Sequence, residues 1–251
     1  MVTYSGCNDA SGCEPVPFSR LAKLDMKILT LTLTVDTPFY NFFDDIKRQY
    51  LRKNNEDFLF VYNGKQRIED DPTVINYSTD SDSNGTGIPV MFDKFINALE
   101  RENNLEKYDF VIRCNSSTFV NVDVIRSVLK DYSSKEHLYL GNFNNSWNFC
   151  SGACCIFSRK TLKALVDNKN KVNVKSVPDD VAIGEILSVS GVSKTFIHNT
   201  PNYINLVDVP PYENIFEALK SPWIRVRNDH NREVIDKAVW RQISTALKLK
   251  M

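Results

Sequence analysis

The sequence lacks a long apolar run, an excess of charge of one sign and a recognisable secretory signal. No apolar stretch reaches the roughly 18 residues that a membrane-spanning helix needs. The start has no basic segment followed by an apolar one. Lysine plus arginine and aspartate plus glutamate number 31 each, whereas nucleic-acid-binding proteins usually have a basic excess. We therefore expect a cytoplasmic protein with no transmembrane segment and no nucleic-acid partner.

The cysteine pattern gives no sign of a zinc site. The six cysteines have neither paired CxxC spacing nor neighbouring histidines. Without a secretory signal we expect reduced thiols, and those in apolar surroundings should behave as small buried apolar residues. A glycine-rich phosphate loop and a GxSxG motif are also missing.

The remaining composition is that of a globular protein with enough apolar residues for a sizeable core. The 251 residues are 42% hydrophobic and 25% charged, values that fit one large domain or two small ones. Residues 1–25 contain turn formers and no sustained period, so we expect a leader or tail there. The folded domain is expected to be a single one over residues 26–251.

Strand and helix patterns alternate along that domain. Strands are predicted at 27–34, 57–64, 73–78, 108–113, 137–143, 149–159 and 194–199. Helices are predicted near 40–51, 88–99, 122–129, 161–166, 177–187 and 233–249, with a Pro/Asn-rich connection at 200–222. Such alternation predicts an α/β fold with a mostly parallel central sheet flanked by helices.

A polar segment follows the apolar strand at 108–113. Ligands of open α/β sheets bind at the carboxyl ends of the strands, and Asn115, Ser116 and Ser117 come at this end. Their amide and hydroxyl groups are suited to a polar ligand. The alternative is an ordinary turn and helix cap.

Four stretches in this order resemble the β-1,3-glycosyltransferases and fringe-like enzymes. "YDFVIRCNSSTFVN" (108–121) resembles the family's YDFVLKTDDDVFVN, and "CSGACCIFSR" (150–159) resembles CSGGGYVLSR. "PDDVAIGEIL" (178–187) resembles EDVYVGICL, and "FIHN" (196–199) lies where the family often has Phe-His. The resemblance implies a GT-A (Rossmann-like) enzyme of a divergent viral or microbial branch. It implies transfer of a sugar from a UDP-sugar to a glycan or glycoprotein hydroxyl, with inversion, in a host cytoplasm or virion.

The sequence departs from that family at the metal site. The family's aspartates hold a divalent cation, usually Mn²⁺, but the matching positions are Asn115, Ser116 and Ser117, whose oxygens are neutral. The diphosphate is then bound by hydroxyls, backbone N–H groups and Arg113, or Mn²⁺ or Mg²⁺ binds weakly with His198 as a ligand. Otherwise the site is inactive, and the chain is a non-catalytic sugar or nucleotide-sugar binding protein of the same fold. An unrelated α/β protein would have no affinity for UDP.

The resemblance also implies roles for residues after the central strand. Asp180 matches the family's general base, which takes the proton of the acceptor hydroxyl, and Asp179 lies beside it. Both also suit a helix N-terminus on electrostatic grounds alone. Ser151 and Gly152 match a segment that lets the backbone approach a sugar, although a glycine bulge in a strand is the alternative.

Two further segments are candidates for contact with the nucleotide. Thr34 and Asp36 follow the first strand, where nucleotide-binding halves contact base or ribose. The stretch "WIRVRNDHNR" (Trp223–Arg232) holds three arginines, which are candidates to replace a metal at the diphosphate. The alternative is a surface strand with exposed arginines.

Overall fold

A computed structural model describes residues 26–63, 71–77, 88–101, 104–143, 148–173, 177–195, 204–206, 208–228 and 230–250. The leader predicted at 1–25 and the "FIHN" segment with His198 lie outside the described residues. None of the described helices combines the length and apolarity that crossing a bilayer requires.

The predicted alternation of strands and helices is confirmed. The strands are β1 (Ile28–Leu33), β2 (Asp57–Asn63), β3 (Val74–Tyr77), β4 (Phe110–Asn115), β5 (Thr118–Val120), β6 (Tyr139–Phe143), β7 (Cys150–Ser158), β8 (Ile204–Leu206) and β9 (Trp223–Val226). The helices are α1 (Pro38–Lys53), α2 (Ile88–Glu100), α3 (Asn104–Lys107), α4 (Val122–Leu129), α5 (Arg159–Asp167), α6 (Asp179–Val189), α7 (Tyr212–Ala218) and α8 (Arg232–Ala246).

The central sheet has six strands in the order β3-β2-β1-β4-β7-β6. The pairs β1–β2, β2–β3 and β1–β4 are parallel, and β7 pairs antiparallel with both β4 and β6. From β1 the chain proceeds to β2 and β3 on one side, then returns to β4 on the other. The gap between the carboxyl ends of β1 and β4 is therefore a topological switch point, where open α/β sheets bind ligands.

Helices cover both faces of this sheet. Leu29, Leu31 and Leu33 of β1 pack in one core with α2, α5 and α6. The other face is covered by α1, α4 and α8. Because β1 is enclosed on both faces, the threonines that alternate with its leucines are also buried; they are Thr30 and Thr32.

Local signals set several element boundaries. Thr37 caps α1, its side chain accepting a hydrogen bond from the Tyr40 backbone N–H at 3.3 Å, and Pro38 takes the first helical position. Asn121 caps α4 as predicted, accepting from the Val124 N–H at 3.4 Å. The predicted cysteine burial is also confirmed, since four free thiols lie buried: Cys114, Cys150, Cys154 and Cys155.

The connection predicted at 200–222 is wrong, because it contains β8 and α7. β8 has three residues and forms a second sheet, in the order β5-β9-β8, by pairing parallel with β9. A strand this short has no readable alternation of its own and depends on its partner. β9 itself is buried at Trp223, Ile224 and Val226, so it is not a surface strand.

Candidate functional site

A polar pocket opens at the switch point between β1 and β4. Its volume is about 250 Å³. We call it the arginine pocket, and its lining consists of Leu33, Thr34, Val35, Tyr40, Met91, Asn115, Ser116, Ser117, Arg225, Arg227 and Arg232. Asn115, Ser116 and Ser117 thus lie at the carboxyl end of β4 and line the pocket, and their binding of a ligand stays a prediction.

A change of sheet brings the arginines to this pocket. The chain leaves the central sheet at Asn115, turns at Ser116 and Ser117, and enters β5 of the smaller sheet. β5 pairs antiparallel with β9, with Thr118 opposite Arg225. The Val226 N–H donates to the Ser117 carbonyl at 2.8 Å. Strand pairing thus places Arg225 next to the turn.

Two of the pocket arginines, Arg225 and Arg232, differ in their hydrogen bonds to other residues of the protein. Arg232 donates to Asp236 Oδ2 at 2.9 Å and to the Tyr40 hydroxyl at 3.1 Å. Its guanidinium also lies 5.7 Å from the Tyr40 ring centroid. Arg225 makes no hydrogen bond or ion pair with a residue that the structure describes. Arg225 therefore has more bonding capacity left for a ligand than Arg232 has.

One oxygen of the Asn115–Ser117 turn is buried without a hydrogen-bond partner. It is Asn115 Oδ1, which has none among the described residues, whereas the Ser116 hydroxyl lies close enough to Asp44 to help lower the pKa of that carboxyl. Buried polar atoms are nearly always hydrogen-bonded in folded proteins, so such exceptions often mark places that bind a ligand or water.

Two buried lysines bind backbone carbonyls of residues that line the pocket. Lys94 Nζ donates to the Thr34 carbonyl at 2.9 Å, and Lys47 Nζ donates to the Asn115 carbonyl at 2.7 Å. The two residues are 0% and 1% exposed, respectively. Each therefore holds the end of one of the two strands that frame the pocket, and each places a positive charge near it.

A buried carboxylate offsets part of this charge. Asp44 Oδ2 accepts from the Thr34 hydroxyl at 2.6 Å and from the Tyr62 hydroxyl at 3.3 Å. Burial raises the pKa of Asp44, against the opposing effects of Lys47 and the neighbouring hydroxyl groups. The sequence did not single out Lys47, Lys94 or Asp44. The available signal was a charge within the apolar stripe of a helix, since Lys47 lies four residues after Phe43.

Of the two nucleotide contacts predicted after the first strand, Thr34 lies in the pocket lining and Asp36 does not. Thr34 lines the pocket, but its hydroxyl is donated to Asp44. Asp36 is exposed, accepts from Asn41 Nδ2 at 2.8 Å and is not part of the lining. Contact between the ligand and Asp36 stays a prediction.

A second polar group lies beside the pocket, and we call it the aspartate cluster: Arg113, Ser151, Gly152, Asp179 and Asp180. Arg113 donates Nη2 to Asp179 and Nη1 to the Gly152 carbonyl. The Gly152 N–H donates to Asp180 Oδ2 at 2.9 Å. The Ser151 hydroxyl accepts from the Ala153 N–H at 3.3 Å. The structure thus brings together five predicted residues from three elements.

Arg113 connects this cluster to the pocket through β4. Alternate strand residues share a face, so Arg113 and Asn115 point the same way, about 7 Å apart along the strand. Arg113 is not part of the pocket lining. Burial alone would lower the pKa of Arg113, but the Asp179 carboxylate raises it, so the guanidinium is a permanent cation.

The described lining of the arginine pocket does not suit a divalent cation. Mg²⁺ and Mn²⁺ prefer carboxylate oxygens, whereas the side-chain oxygens here are neutral and three guanidinium groups share the space. The described parts of the chain also contain no cluster of three His, Cys, Asp or Glu side chains arranged to hold a metal. His198 is outside those parts, so its role as a ligand stays a prediction.

Comparison with known proteins shows similarity in structure only. No protein-family model matches the sequence, and no curated protein does. One similar solved structure is a glycosyltransferase involved in the glycosylation of the major capsid of PBCV-1. Its TM-score is 0.50 at 10% identity, over 85% of this chain and 98% of that chain. Another is the bifunctional glycosyltransferase WbbM, with a TM-score of 0.51 at 12% identity, over 89% of this chain and 50% of that one. The chain thus spans about half the length of WbbM, and its fold is the GT-A fold of glycosyltransferases.

Proposed function

We propose that the chain is a glycosyltransferase that moves a hexose or N-acetylhexosamine from a UDP-sugar to a carbohydrate hydroxyl. The observation that carries this proposal is the group of cationic side chains at the switch point of a glycosyltransferase fold. Guanidinium groups match phosphate oxygens in geometry and charge. A pocket lined by three arginines, with two buried lysines bound to the backbone of its lining residues, therefore suits a nucleoside diphosphate.

The donor would extend from the arginine pocket to the aspartate cluster. Ligand sites usually measure about 300–1,000 Å³, and a cavity of about 250 Å³ has room for only part of a nucleotide sugar. We place the base and ribose beside Thr34 and Tyr40, and the diphosphate against Arg225 and the Asn115–Ser117 turn. The sugar then points along β4 toward Gly152.

Arginine would take over the role of a metal at the diphosphate. Charge-assisted hydrogen bonds from guanidinium to phosphate are about twice as strong as neutral ones. Arg225 and the buried lysines would stabilise the charge that builds up on the leaving UDP. Mn²⁺ or Mg²⁺ is then not required at the described residues.

Asp180 would act as the general base. The acceptor hydroxyl oxygen attacks the anomeric carbon of the sugar and gives its proton to Asp180. The bond from that carbon to the diphosphate oxygen breaks, and its electron pair leaves with UDP, which inverts the anomeric centre. Asp180 already accepts from the N–H groups of Gly152 and Val181, at 2.9 and 3.0 Å. A carboxylate has about four acceptor positions, so it has capacity left for the acceptor hydroxyl.

UDP binding by calorimetry, with EDTA and then with Mn²⁺, tests the donor class and the metal together. We expect binding in EDTA and a change of less than about twofold on adding Mn²⁺. Binding that needs Mn²⁺ would contradict the arginine-based site, and no UDP binding would contradict the donor class. A screen of UDP-sugars for transfer then tests catalysis, and binding without turnover would identify a non-catalytic binding protein.

The class of acceptor is tested separately from the donor. One structure with this fold acts in glycosylation of the PBCV-1 major capsid, which is a reason to include a glycoprotein among the first acceptors tested. Free oligosaccharides are the comparison. Transfer to neither, with UDP-sugar hydrolysis intact, would mean that the acceptor class is wrong while the donor class holds.

A further inference from the structure

The Arg113 guanidinium is held inside the protein through both of its terminal nitrogens, while its Nε has no hydrogen-bond partner among the described residues. The residue is 1% exposed. Its two terminal nitrogens donate to the Asp179 carboxylate and to the Gly152 carbonyl. Arg113 would have to leave both partners and its buried position to reach a phosphate in the arginine pocket. A direct role in diphosphate binding, which the sequence suggested, therefore does not fit its contacts.

Gly152 links Arg113 to Asp180. Its carbonyl accepts from Arg113, and its N–H donates to Asp180 Oδ2 at 2.9 Å. A Cβ at this position would lie 2.8 Å from Arg113 Nη1 and 3.3 Å from Asp180 Oδ2. The three groups therefore pack so closely that a side chain at this position would displace the Arg113 guanidinium.

Asp179 provides a second connection. It precedes Asp180 at the start of α6, so the ion pair with Arg113 fixes the first turn of that helix against β4. Burial raises the pKa of the Asp179 carboxyl, and Arg113 opposes that increase. Without Arg113 the buried carboxylate would lose the cation that favours its charged form.

We propose that Arg113 is a positioning residue that orients Asp180 through Asp179 and Gly152 and does not contact the donor diphosphate. This inference rests on the proposed function, in which Asp180 is the general base. It assigns Arg113 to the chemical step and Arg225 to donor binding. The two arginines should therefore affect different measured constants.

Two variants test this assignment, and neither leaves one charge of the pair buried without its partner. Arg113→Lys keeps the cation but loses the planar fork that serves two acceptors at once. The double variant Arg113→Met/Asp179→Asn removes both charges of the pair, which proteins tolerate far better than removing one. For each variant, calorimetry gives the UDP dissociation constant, and steady-state kinetics give kcat with a saturating donor. Thermal unfolding shows whether the variant is folded.

We expect UDP affinity within about twofold of wild type in both variants. We expect kcat to fall about 100-fold in the double variant, because a misplaced general base costs about that factor. In Arg113→Lys we expect a smaller fall in kcat, because the cation is kept. A tenfold or larger loss of UDP affinity in a folded variant would show that Arg113 binds the diphosphate. An unchanged kcat would show that Asp180 does not depend on it.

A readout that does not need activity separates this inference from the proposed function. The Gly152 amide proton, followed by NMR in the free protein, reports its hydrogen bond to Asp180. We expect its resonance to move strongly in the double variant and less in Arg113→Lys. If wild type transfers no sugar but the resonance moves, the proposed function fails and the positioning of Asp180 stands. If the resonance is unchanged in both variants, the positioning inference fails whatever the activity.

Discussion

The arginine pocket and the aspartate cluster are neighbours on β4, but their arginines differ in whether the protein itself supplies hydrogen-bond acceptors. In the cluster, the buried guanidinium of Arg113 meets a carboxylate and a carbonyl of the protein itself. In the pocket, Arg225 bonds to none of the described residues, and Asn115 Oδ1 is also without a partner among them. Satisfied polar groups hold structure, whereas unsatisfied ones are available to a ligand. On the proposed function, this difference fits donor binding in the pocket and orientation of Asp180 in the cluster.

The largest expected effect is on the cluster side, from Asp180→Asn. The amide oxygen can still accept from the Gly152 N–H, so the fold should be kept. An amide cannot take the acceptor proton, and general bases contribute about 10²–10⁴-fold to rate. We expect kcat to fall by that range in transfer assays, with UDP affinity unchanged.

Glu185→Gln is the matched control, since Glu185 is an exposed acid on the same helix. It should leave both constants unchanged. Equal activity of Asp180→Asn and wild type would remove Asp180 as the base. A loss of UDP affinity in Asp180→Asn would mean that the cluster also contributes to donor binding.

On the pocket side, Arg225→Gln should weaken UDP binding. A charge-assisted hydrogen bond is worth about 1.5–3 kcal/mol, which is about 10- to 100-fold in the dissociation constant. The kcat at saturating donor should fall much less than in Asp180→Asn. Calorimetry and steady-state kinetics on the same preparation measure both.

Arg241→Gln controls for the loss of one positive charge. Arg241 is exposed, lies over the Phe42 ring at 5.5 Å from its centroid and is not in the pocket lining. Equal weakening of UDP binding by Arg225→Gln and Arg241→Gln would mean that only overall charge matters. In that case the pocket would not be a specific diphosphate site.

A smaller effect is expected from Gly152→Ala, which tests how tightly the cluster is packed. Its Cβ would lie 2.8 Å from Arg113 Nη1, and Arg113 is held at two partners. Overpacking of this kind costs about 1–3 kcal/mol of stability, and kcat should fall with it. Denaturant unfolding and transfer assays provide the two measurements.

Gly191→Ala separates steric crowding from backbone strain. Gly191 has a φ of +73°, and a Cβ added there would meet no described atom within 4 Å. Only backbone strain, about 1–2 kcal/mol, should therefore act at this position. The variant should lose stability without losing kcat. Loss of kcat in both variants would mean that activity simply follows stability.

Much of the fold could be predicted because its signals are local. Helix α4 was predicted over its observed range, Val122–Leu129, and Asn121 was expected as its cap. Periodicity and capping both act within a few residues. β8 was missed because it forms through its pairing with β9. Pairing between distant segments leaves no pattern in the short segment itself.

The site was predictable only in part for the same reason. The edge position of Asn115–Ser117 follows from the rule for α/β sheets. The arginines of Trp223–Arg232 were candidates, but their arrival at the pocket depends on the pairing of β9 with β5. Arg113 was expected at the diphosphate. Strand alternation gives its face, but only packing shows that α6 and β7 already supply acceptors to its two terminal nitrogens.

The smallest expected effect concerns the buried carboxyl of Asp44 and depends on pH. Burial raises the pKa of Asp44 above its usual value of 3.8, so the folded state binds its proton more tightly than the unfolded state. The stabilising contribution of Asp44 is then full below pH 3.8 and is lost as pH rises through the folded pKa. Asp44→Asn cannot ionise, so its unfolding free energy should improve relative to wild type over that window. Denaturant unfolding of both proteins from acid to neutral pH measures the difference. A change in the opposite direction would mean that Lys47 and Asp44 form a stabilising ion pair.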